Sequence, residues 1–374
     1  MKAKDLAKKL GVSPATISLV LNNKPGISDS LRKSLLEKIQ ELGHEEMLCD
    51  SCRSGEAPGA QPAKEAAQVQ EGGCACKVIA YIISDDFYAD RNDPYNFFSG
   101  VLEGVEAEAW ENDCCLVMVH TNRLKNVTLA EQLRRTGNVV GAIVHPCRLT
   151  KQLERDIKAA DIPFVFMDGG GFLDSSGSWE PSSVCISNRQ GMYQVIRYLK
   201  AKGHTEIGFV NSGWQGEVQL DRFRWYQAAL RAFGITERPE YNYCAGKEKD
   251  LLEYQELARL FAAAPQLPTA LVCEGDRQAW QAIKALEQIG LRVPKDISVT
   301  GFDDQPLCTM IEPRITTIRN SPQLMGRECV LMIKNLRRLK ALGEEEPWLR
   351  IELPARLIER DSVQDLREKQ EGSR

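Results

Sequence analysis

LAKKLGVSPATISLVLNNKPGISDSLRKSLLEKIQELG, residues 6–43, is the stretch on which the reading of this chain turns. Leu6, Ala7 and Leu10 lay an apolar stripe along a short first helix, and Gly11 ends it because glycine accepts a left-handed backbone. Ser13 is placed to cap a second helix, with Pro14 at the first helical position, where a missing N–H costs nothing. That helix turns Ile17, Val20 and Leu21 inward and leaves Pro14, Ala15, Thr16, Ser18 and Leu19 outward. After a loop over residues 22–26, Ser28 caps a third helix. Its Leu31, Leu35, Ile39 and Leu42 recur at helical spacing, and Gly43 stops it. Three short helices with a tight turn between the first two make a helix-turn-helix. A DNA major groove about 12 Å wide admits one such helix, whose N-terminal residues meet the base edges. On periodicity alone, a small helical bundle with a solvated basic face stays open.

Charge outside this stretch narrows the choice. The chain of 374 residues carries a net charge of -4, which by itself suggests no nucleic-acid partner. Its distribution does. Residues 1–44 hold eight Lys or Arg against four acids, so the head is +4 and the remainder -8. Basic groups around a groove-reading helix supply the attraction to phosphate. The N-terminus, MKAKDLAKKL, lacks the apolar core of a signal peptide, and no run approaches the roughly 20 apolar residues of a membrane span. The expectation is a cytoplasmic protein with no membrane association. Twelve cysteines in a chain of this length do not suggest a disulfide scaffold, and a reducing compartment keeps them as thiols or metal ligands.

The run DLAKKLGVSPATISLVLNNKPGISDSLRKSLLEKIQELG resembles the DNA-binding head of the LacI/GalR family of transcriptional regulators, including that family's V-S-x-x-T-[VI]-S-x-V-[LI]-N core. The resemblance implies that Pro14, Ala15, Ser18 and Leu19 read bases, while Ser13, Thr16, Asn22 and Ser28 hold backbone phosphates. Leu19 departs from the many members with Arg at that position. Without Arg, a bidentate guanine contact of about 1–3 kcal/mol is lost, and apolar contact with a thymine methyl takes its place.

Residues 45–76, EEMLCDSCRSGEAPGAQPAKEAAQVQEGGCAC, read as a flexible, atypical linker. The family's Y-x-P-N-x-x-A-R-x-L hinge segment is missing, and His44-Glu45-Glu46 stands where it would begin. The linker instead holds Cys49-x-x-Cys52 and Cys74-x-Cys76. Two close pairs supply four thiolates, the ligand set of a tetrahedral zinc site, although a single spacing residue is short for such a pair. A thiol–disulfide switch and a linker with no specific chemistry are the alternatives.

From residue 77 to 361, short apolar runs alternate with amphipathic segments. The runs are VIAYIIS (78–84), CLVMVH (115–120), VGAIVH (140–145), PFVFMD (163–168), VCIS (184–187), IGFVN (207–211), ALVCE (270–274) and ISVTGFDD (297–304). Continuous apolar runs between helices are what a parallel sheet covered on both faces requires, and a chain this long forms two doubly wound subdomains more comfortably than one sheet. SNRQGMYQVIRYLKAKGHTEIGFVN, DRFRWYQAAL and GLRVPKDISVTGFDD resemble segments of the same family, with Ser187 in place of Asp and Trp225 in place of Gly. TTIR and LPARLIERDS resemble its closing segments. The resemblance implies a periplasmic-binding-protein-like effector domain with chain crossings near Ser187, Arg319 and Ile351.

Carried over position by position, the effector-binding candidates are Arg222, whose guanidinium offers a fork of donors, Asp303 at a strand's carboxyl end, and Tyr95 as an aromatic in the cleft. Each has a plain counterpart, as a surface helix Arg, a turn carboxylate and a loop aromatic. Gly275, where sugar-responsive members often have Asn, together with charged Lys247 and Glu248, points to a charged or phosphorylated effector. Cys114, Cys115, Cys147, Cys185, Cys273 and Cys308 lie in or beside apolar runs, as small hydrophobes do. Phosphate-loop, nucleophile-elbow and H-E-x-x-H motifs are absent, so no enzyme is expected.

The chain therefore reads as a head (1–44), a cysteine-bearing linker (45–76), an effector-binding and dimerisation domain (77–361) and a polar tail (362–374). The expected function is a ligand-responsive regulator, a repressor, that binds a near-palindromic double-stranded DNA operator as a homodimer and responds to a small polar effector such as a sugar or sugar derivative. Zinc at the linker cysteines is the only cofactor suggested. The competing readings are a metal or redox regulator sensing through the linker, and a solute-binding protein that does not bind DNA.

Overall fold

A computed structural model describes residues 3–21, 27–42, 76–83, 97–124, 127–145, 151–168, 181–213, 217–244, 252–344 and 348–367. The chain divides into two compact units, Met1–Gly73 and Cys74–Arg374.

The first unit contains α1 (Ala3–Leu10), α2 (Pro14–Leu21) and α3 (Asp29–Glu41). Gly11 takes a φ of +68°, and with it the chain turns sharply from α1 into α2. Leu6, Ala7, Ile17, Val20, Leu21, Leu35 and Ile39 close into one core. The stripe expected on α3 is only half buried, since Leu31 and Leu42 are each 41% exposed. Arg32 takes the inward position instead, buried to 5%, and its Nη1 donates to the Leu19 carbonyl at 3.2 Å. A guanidinium at the C-terminal turn of α2 meets the negative end of that helix and ties α3 to it.

The second unit is built on two parallel sheets. Strands β1 (Lys77–Ile83), β2 (Cys114–His120), β3 (Val139–Val144), β4 (Phe164–Met167) and β5 (Ser183–Ile186) alternate with α4 (Phe97–Glu111), α5 (Leu129–Thr136) and α6 (Lys151–Ala160). The chain leaves β5 at Ser187 and enters α7 (Asn188–Ala201). It then builds β6 (Ile207–Asn211), α8 (Glu217–Ala232), β7 (Asn242–Cys244), α9 (Glu253–Ala263), β8 (Ala270–Cys273), α10 (Asp276–Gln288) and β9 (Ser298–Thr300). The one-turn α11 (Leu307–Met310) leads to β10 (Thr317–Arg319), after which α12 (Pro322–Ala341) and β11 (Arg350–Leu353) belong to the first sheet. β12 (Arg356–Ile358) pairs antiparallel with β10. The sheet orders are β11-β5-β4-β3-β1-β2 and β7-β6-β8-β9, every neighbour parallel. The crossings at Ser187 and Arg319 fall where expected. Ile351 sits inside β11, so the third comes after it, between β11 and β12.

All eight apolar runs contain strands. Seven of them, β1, β3, β4, β5, β6, β8 and β9, are buried along nearly their whole length because helices cover both faces. One apolar core runs continuously from Ile79 and Val184 through Phe302 and Ile318 to Phe209 and Tyr226, joining the two sheets. The segment read as a polar tail begins inside the fold. Ser362 is fully buried, its Oγ donating to the Val299 carbonyl at 2.6 Å and accepting from the Thr316 N–H.

Candidate DNA-reading face and effector cleft

In the first unit, Ser13 caps α2: its Oγ accepts the Thr16 N–H at 3.0 Å and lies 2.8 Å from the Thr16 hydroxyl. When the Thr16 hydroxyl donates to Ser13, the Ser13 proton is left for an external acceptor such as a phosphate oxygen. Pro14 and Ala15 occupy the first turn of α2, Ser18 is exposed and Leu19 half-buried. Ser28 caps α3 through the Leu31 N–H. Asn22 lies outside the described residues. Helix α2 therefore carries six of the predicted contact positions, Ser13 at its cap and Pro14, Ala15, Thr16, Ser18 and Leu19 on its first two turns.

In the second unit the carboxyl ends of β4, β5, β8 and β9 converge on one polar cluster. Arg222, on α8 and 7% exposed, lies at its centre. Its Nη2 donates to Asp303 Oδ1 at 2.9 Å, its Nη1 to the Glu274 carbonyl at 2.6 Å and its Nε to Asn188 Oδ1 at 3.1 Å. The guanidinium stacks 4.0 Å over the Phe302 ring. Burial works against its charge, and the Asp303 and Asp168 carboxylates more than offset that. Arg222 and Asp303, predicted separately, are thus partners in one ion pair. Asp303 also accepts from Asn320 Nδ2 at 2.9 Å, and its backbone is held at a φ of +105°, a strained setting for a residue with a side chain.

Three further groups complete the cluster. Asn188 passes a hydrogen bond on to Asp221 Oδ2 at 2.9 Å. Asp168, at the end of β4, accepts the Ile186 N–H, and burial pushes its carboxyl up to about 6 against the pull of Arg222. Glu274, at the end of β8, is 4% exposed and burial raises it too. Its Oε1 accepts the Ser212 N–H at 2.9 Å, while Oε2 has no hydrogen-bond partner among the described residues. A buried carboxylate oxygen left bare is costly and is satisfied by an incoming donor. A cavity of about 320 Å³ opens beside the cluster, lined by Asp168, Ser187, Asn188, Asp221, Trp225 and Glu352. Trp225, the departure from Gly, forms part of its wall.

Asp168, Asn188 and Glu274 were not singled out from sequence. Their signal was nonetheless present: PFVFMD and ALVCE each end an apolar run with an acid, and ligands bind at the carboxyl ends of parallel strands. Tyr95, Lys247, Glu248, Cys49, Cys52 and Cys74 lie outside the described residues. Cys76 faces Cys115 across the start of β1 and β2. No group of three or more His, Cys, Asp or Glu among the described residues is arranged to hold a metal. Cys115 is exposed, unlike Cys114, Cys185, Cys273 and Cys308, which are buried as small hydrophobes are.

Residues 2–45 match the sequence profile of bacterial regulatory proteins, lacI family, and residues 196–363 match the periplasmic binding protein-like domain. The chain belongs to the LacI family. It is a ligand-responsive, DNA-binding transcriptional regulator. Among LacI-family proteins, the HTH-type transcriptional repressor PurR of Erwinia tasmaniensis is 29% identical over 367 residues, covering 97% of this chain and 96% of the relative. The fold matches that of a transcriptional regulator CelR–cellobiose complex, with a TM-score of 0.63 at 21% identity over 97% of this chain and 99% of the other. It also matches the lac repressor dimer bound to operator and the anti-inducer ONPF, with a TM-score of 0.63 at 20% identity over 97% and 99%. No helix among the described residues is long and apolar enough to cross a membrane.

Proposed function

We propose that this LacI-family chain represses transcription as a homodimer on a near-palindromic operator, and that a small, neutral, hydroxyl-rich effector in the Arg222 cluster switches it. In this reading α2 enters the major groove. Pro14, Ala15, Ser18 and Leu19 meet base edges, and Ser13, Thr16, Asn22 and Ser28 hold phosphates. A two-fold dimer sets two such helices on two half-sites; the structurally similar lac repressor is a dimer bound to operator.

The composition of the cluster carries the choice of effector. Five carboxyl groups in and beside the cavity, Asp168, Asp221, Glu274, Asp303 and Glu352, outnumber the three guanidiniums of Arg222, Arg189 and Arg350; Asp303 already neutralises Arg222, and Glu352 pairs with Arg350. That surplus of acceptors repels a phosphate or carboxylate and welcomes hydroxyl donors, so an anionic effector is disfavoured despite the charged residues at 247 and 248. The bare Glu274 Oε2 is the acceptor offered to an effector hydroxyl. Cellobiose, bound by the structurally similar CelR, is a ligand of this chemical kind.

Isothermal titration of the full chain with a panel of neutral mono- and disaccharides and their phosphate esters tests this. Binding confined to neutral sugars supports the reading. Binding of the phosphate esters alone would refute it.

A further inference from the structure

Cys76 precedes β1 directly, and Cys115 is the second residue of β2, the edge strand of the six-stranded sheet. Val78 lies opposite Cys115 in the parallel register. Cys76, two residues before Val78, therefore belongs to the same face as Cys115 and stands diagonally from it. Their sulfurs are 2.7 Å apart, about 0.7 Å from the bond length of a disulfide. Cys115 is exposed and Cys76 half-buried, so an oxidant in solution reaches both.

Cys114, the described thiol adjacent to Cys115, does not compete. It belongs to the opposite face and is buried, and burial raises its thiol above the ordinary value, which keeps it protonated and unreactive. Cys185, Cys273, Cys308 and Cys329 are buried in the two sheets and their helices. The pair is also placed at a junction, because the first unit ends at Gly73 and the second begins at Cys74.

We infer that Cys76 and Cys115 form a reversible disulfide, a redox clasp across the entry of the chain into the effector domain. With a hydroperoxide as oxidant, the exposed Cys115 thiolate attacks the outer peroxide oxygen. The O–O bond breaks, a sulfenic acid forms on Cys115, and the leaving alkoxide takes up a proton to become the alcohol. The Cys76 sulfur then attacks the Cys115 sulfur, the S–O bond breaks and water leaves. Two thiols and one hydroperoxide give one disulfide, one alcohol and one water; the thiols lose two electrons and the peroxide gains them. A dithiol reverses the bond by exchange. The clasp fastens the two parallel strands at their amino ends and closes a loop over residues 76–115.

The test uses the full chain, reduced, freed of reductant and treated with hydrogen peroxide at low molar excess. Remaining thiols are then alkylated, and the protein is digested and mapped by mass spectrometry. The expected result is a peptide pair joined through Cys76 and Cys115, two hydrogens lighter than the sum of its parts. It should disappear after dithiothreitol, persist in Cys114→Ser and be absent in Cys115→Ser. Recovery of Cys76 and Cys115 in alkylated form after peroxide treatment overturns the inference. So does a Cys115 linked to a different cysteine, and mapping of the unsubstituted chain alone decides both.

Discussion

At the scale of single residues, the cluster around Arg222 separates groups paired within the fold from one buried acceptor, Glu274 Oε2, with no partner among the described residues. Arg222 gives its donors to Asp303, Asn188 and the Glu274 carbonyl, so Arg222→Ala strands buried carboxylates without a counter-charge. Loss of one partner of a buried ion pair costs about 3–5 kcal/mol, and urea denaturation of the variant is expected to read a loss of that size. Glu274→Gln behaves oppositely. The bare Oε2 makes no hydrogen bond among the described residues, so stability should hold or rise while effector affinity falls by about 10-fold or more, as removal of a charged hydrogen-bond acceptor does.

Asp276 gives a pH signature. Burial first, and the Asp303 carboxylate second, raise it to about 8, against hydrogen bonds from the Gln305 N–H and the Thr317 hydroxyl. A carboxyl that holds its proton more tightly when folded stabilises the chain at low pH. That contribution is lost as pH rises from about 4 to about 8. Asp276→Asn cannot ionise. Its stability relative to the parent chain should therefore climb between pH 5 and pH 8.5, measured by denaturation at both ends of the window; a pH-independent difference would contradict the assignment. Asp168, raised to about 6, acts with the same sign over the lower half of that window.

At the scale of elements, close packing of helices rests on two glycines. A Cβ on Gly104 of α4 would stand 2.0 Å from the Gln323 carbonyl oxygen, and one on Gly326 of α12 would stand 2.1 Å from the Val101 carbonyl oxygen. Backbone cannot yield as a side-chain tip does. Gly326→Ala is thus expected to push α4 and α12 apart and cost about 1–3 kcal/mol, read as a lowered unfolding midpoint.

The elements differ in how plainly sequence announces them. Long apolar runs such as VIAYIIS and IGFVN declare buried parallel strands because both faces must be apolar. β7, β10 and β12 are three residues each, too short for any period, and β10 with β12 pairs across residues far apart in the chain. On α3 the helical period predicted Leu31 inside, yet Arg32 occupies that place because its guanidinium reaches a helix-end carbonyl. Hydrophobic periodicity cannot register an inward charge with a backbone partner. The site is legible in a different way: Arg222 and Asp303 come from resemblance, whereas Asp168 and Glu274 are marked in the sequence only as acids that end apolar runs, and the convergence of the strand ends brings them together.

At the scale of the whole molecule, the chain couples a DNA-reading unit to an effector unit through residues that lack the family's usual hinge segment. A coupling free energy of about 1–3 kcal/mol corresponds to a change of about 5–150-fold in operator affinity on effector binding. The most direct test titrates DNA from upstream of the chain's own transcription unit, by electrophoretic mobility shift, with and without a neutral sugar found to bind by calorimetry. The parent chain should shift its operator affinity within that range. Glu274→Gln should bind the operator equally well without sugar and need about 10-fold or more sugar for the same change. An operator affinity that the sugar leaves untouched, or a Glu274→Gln chain that responds like the parent, would contradict the account.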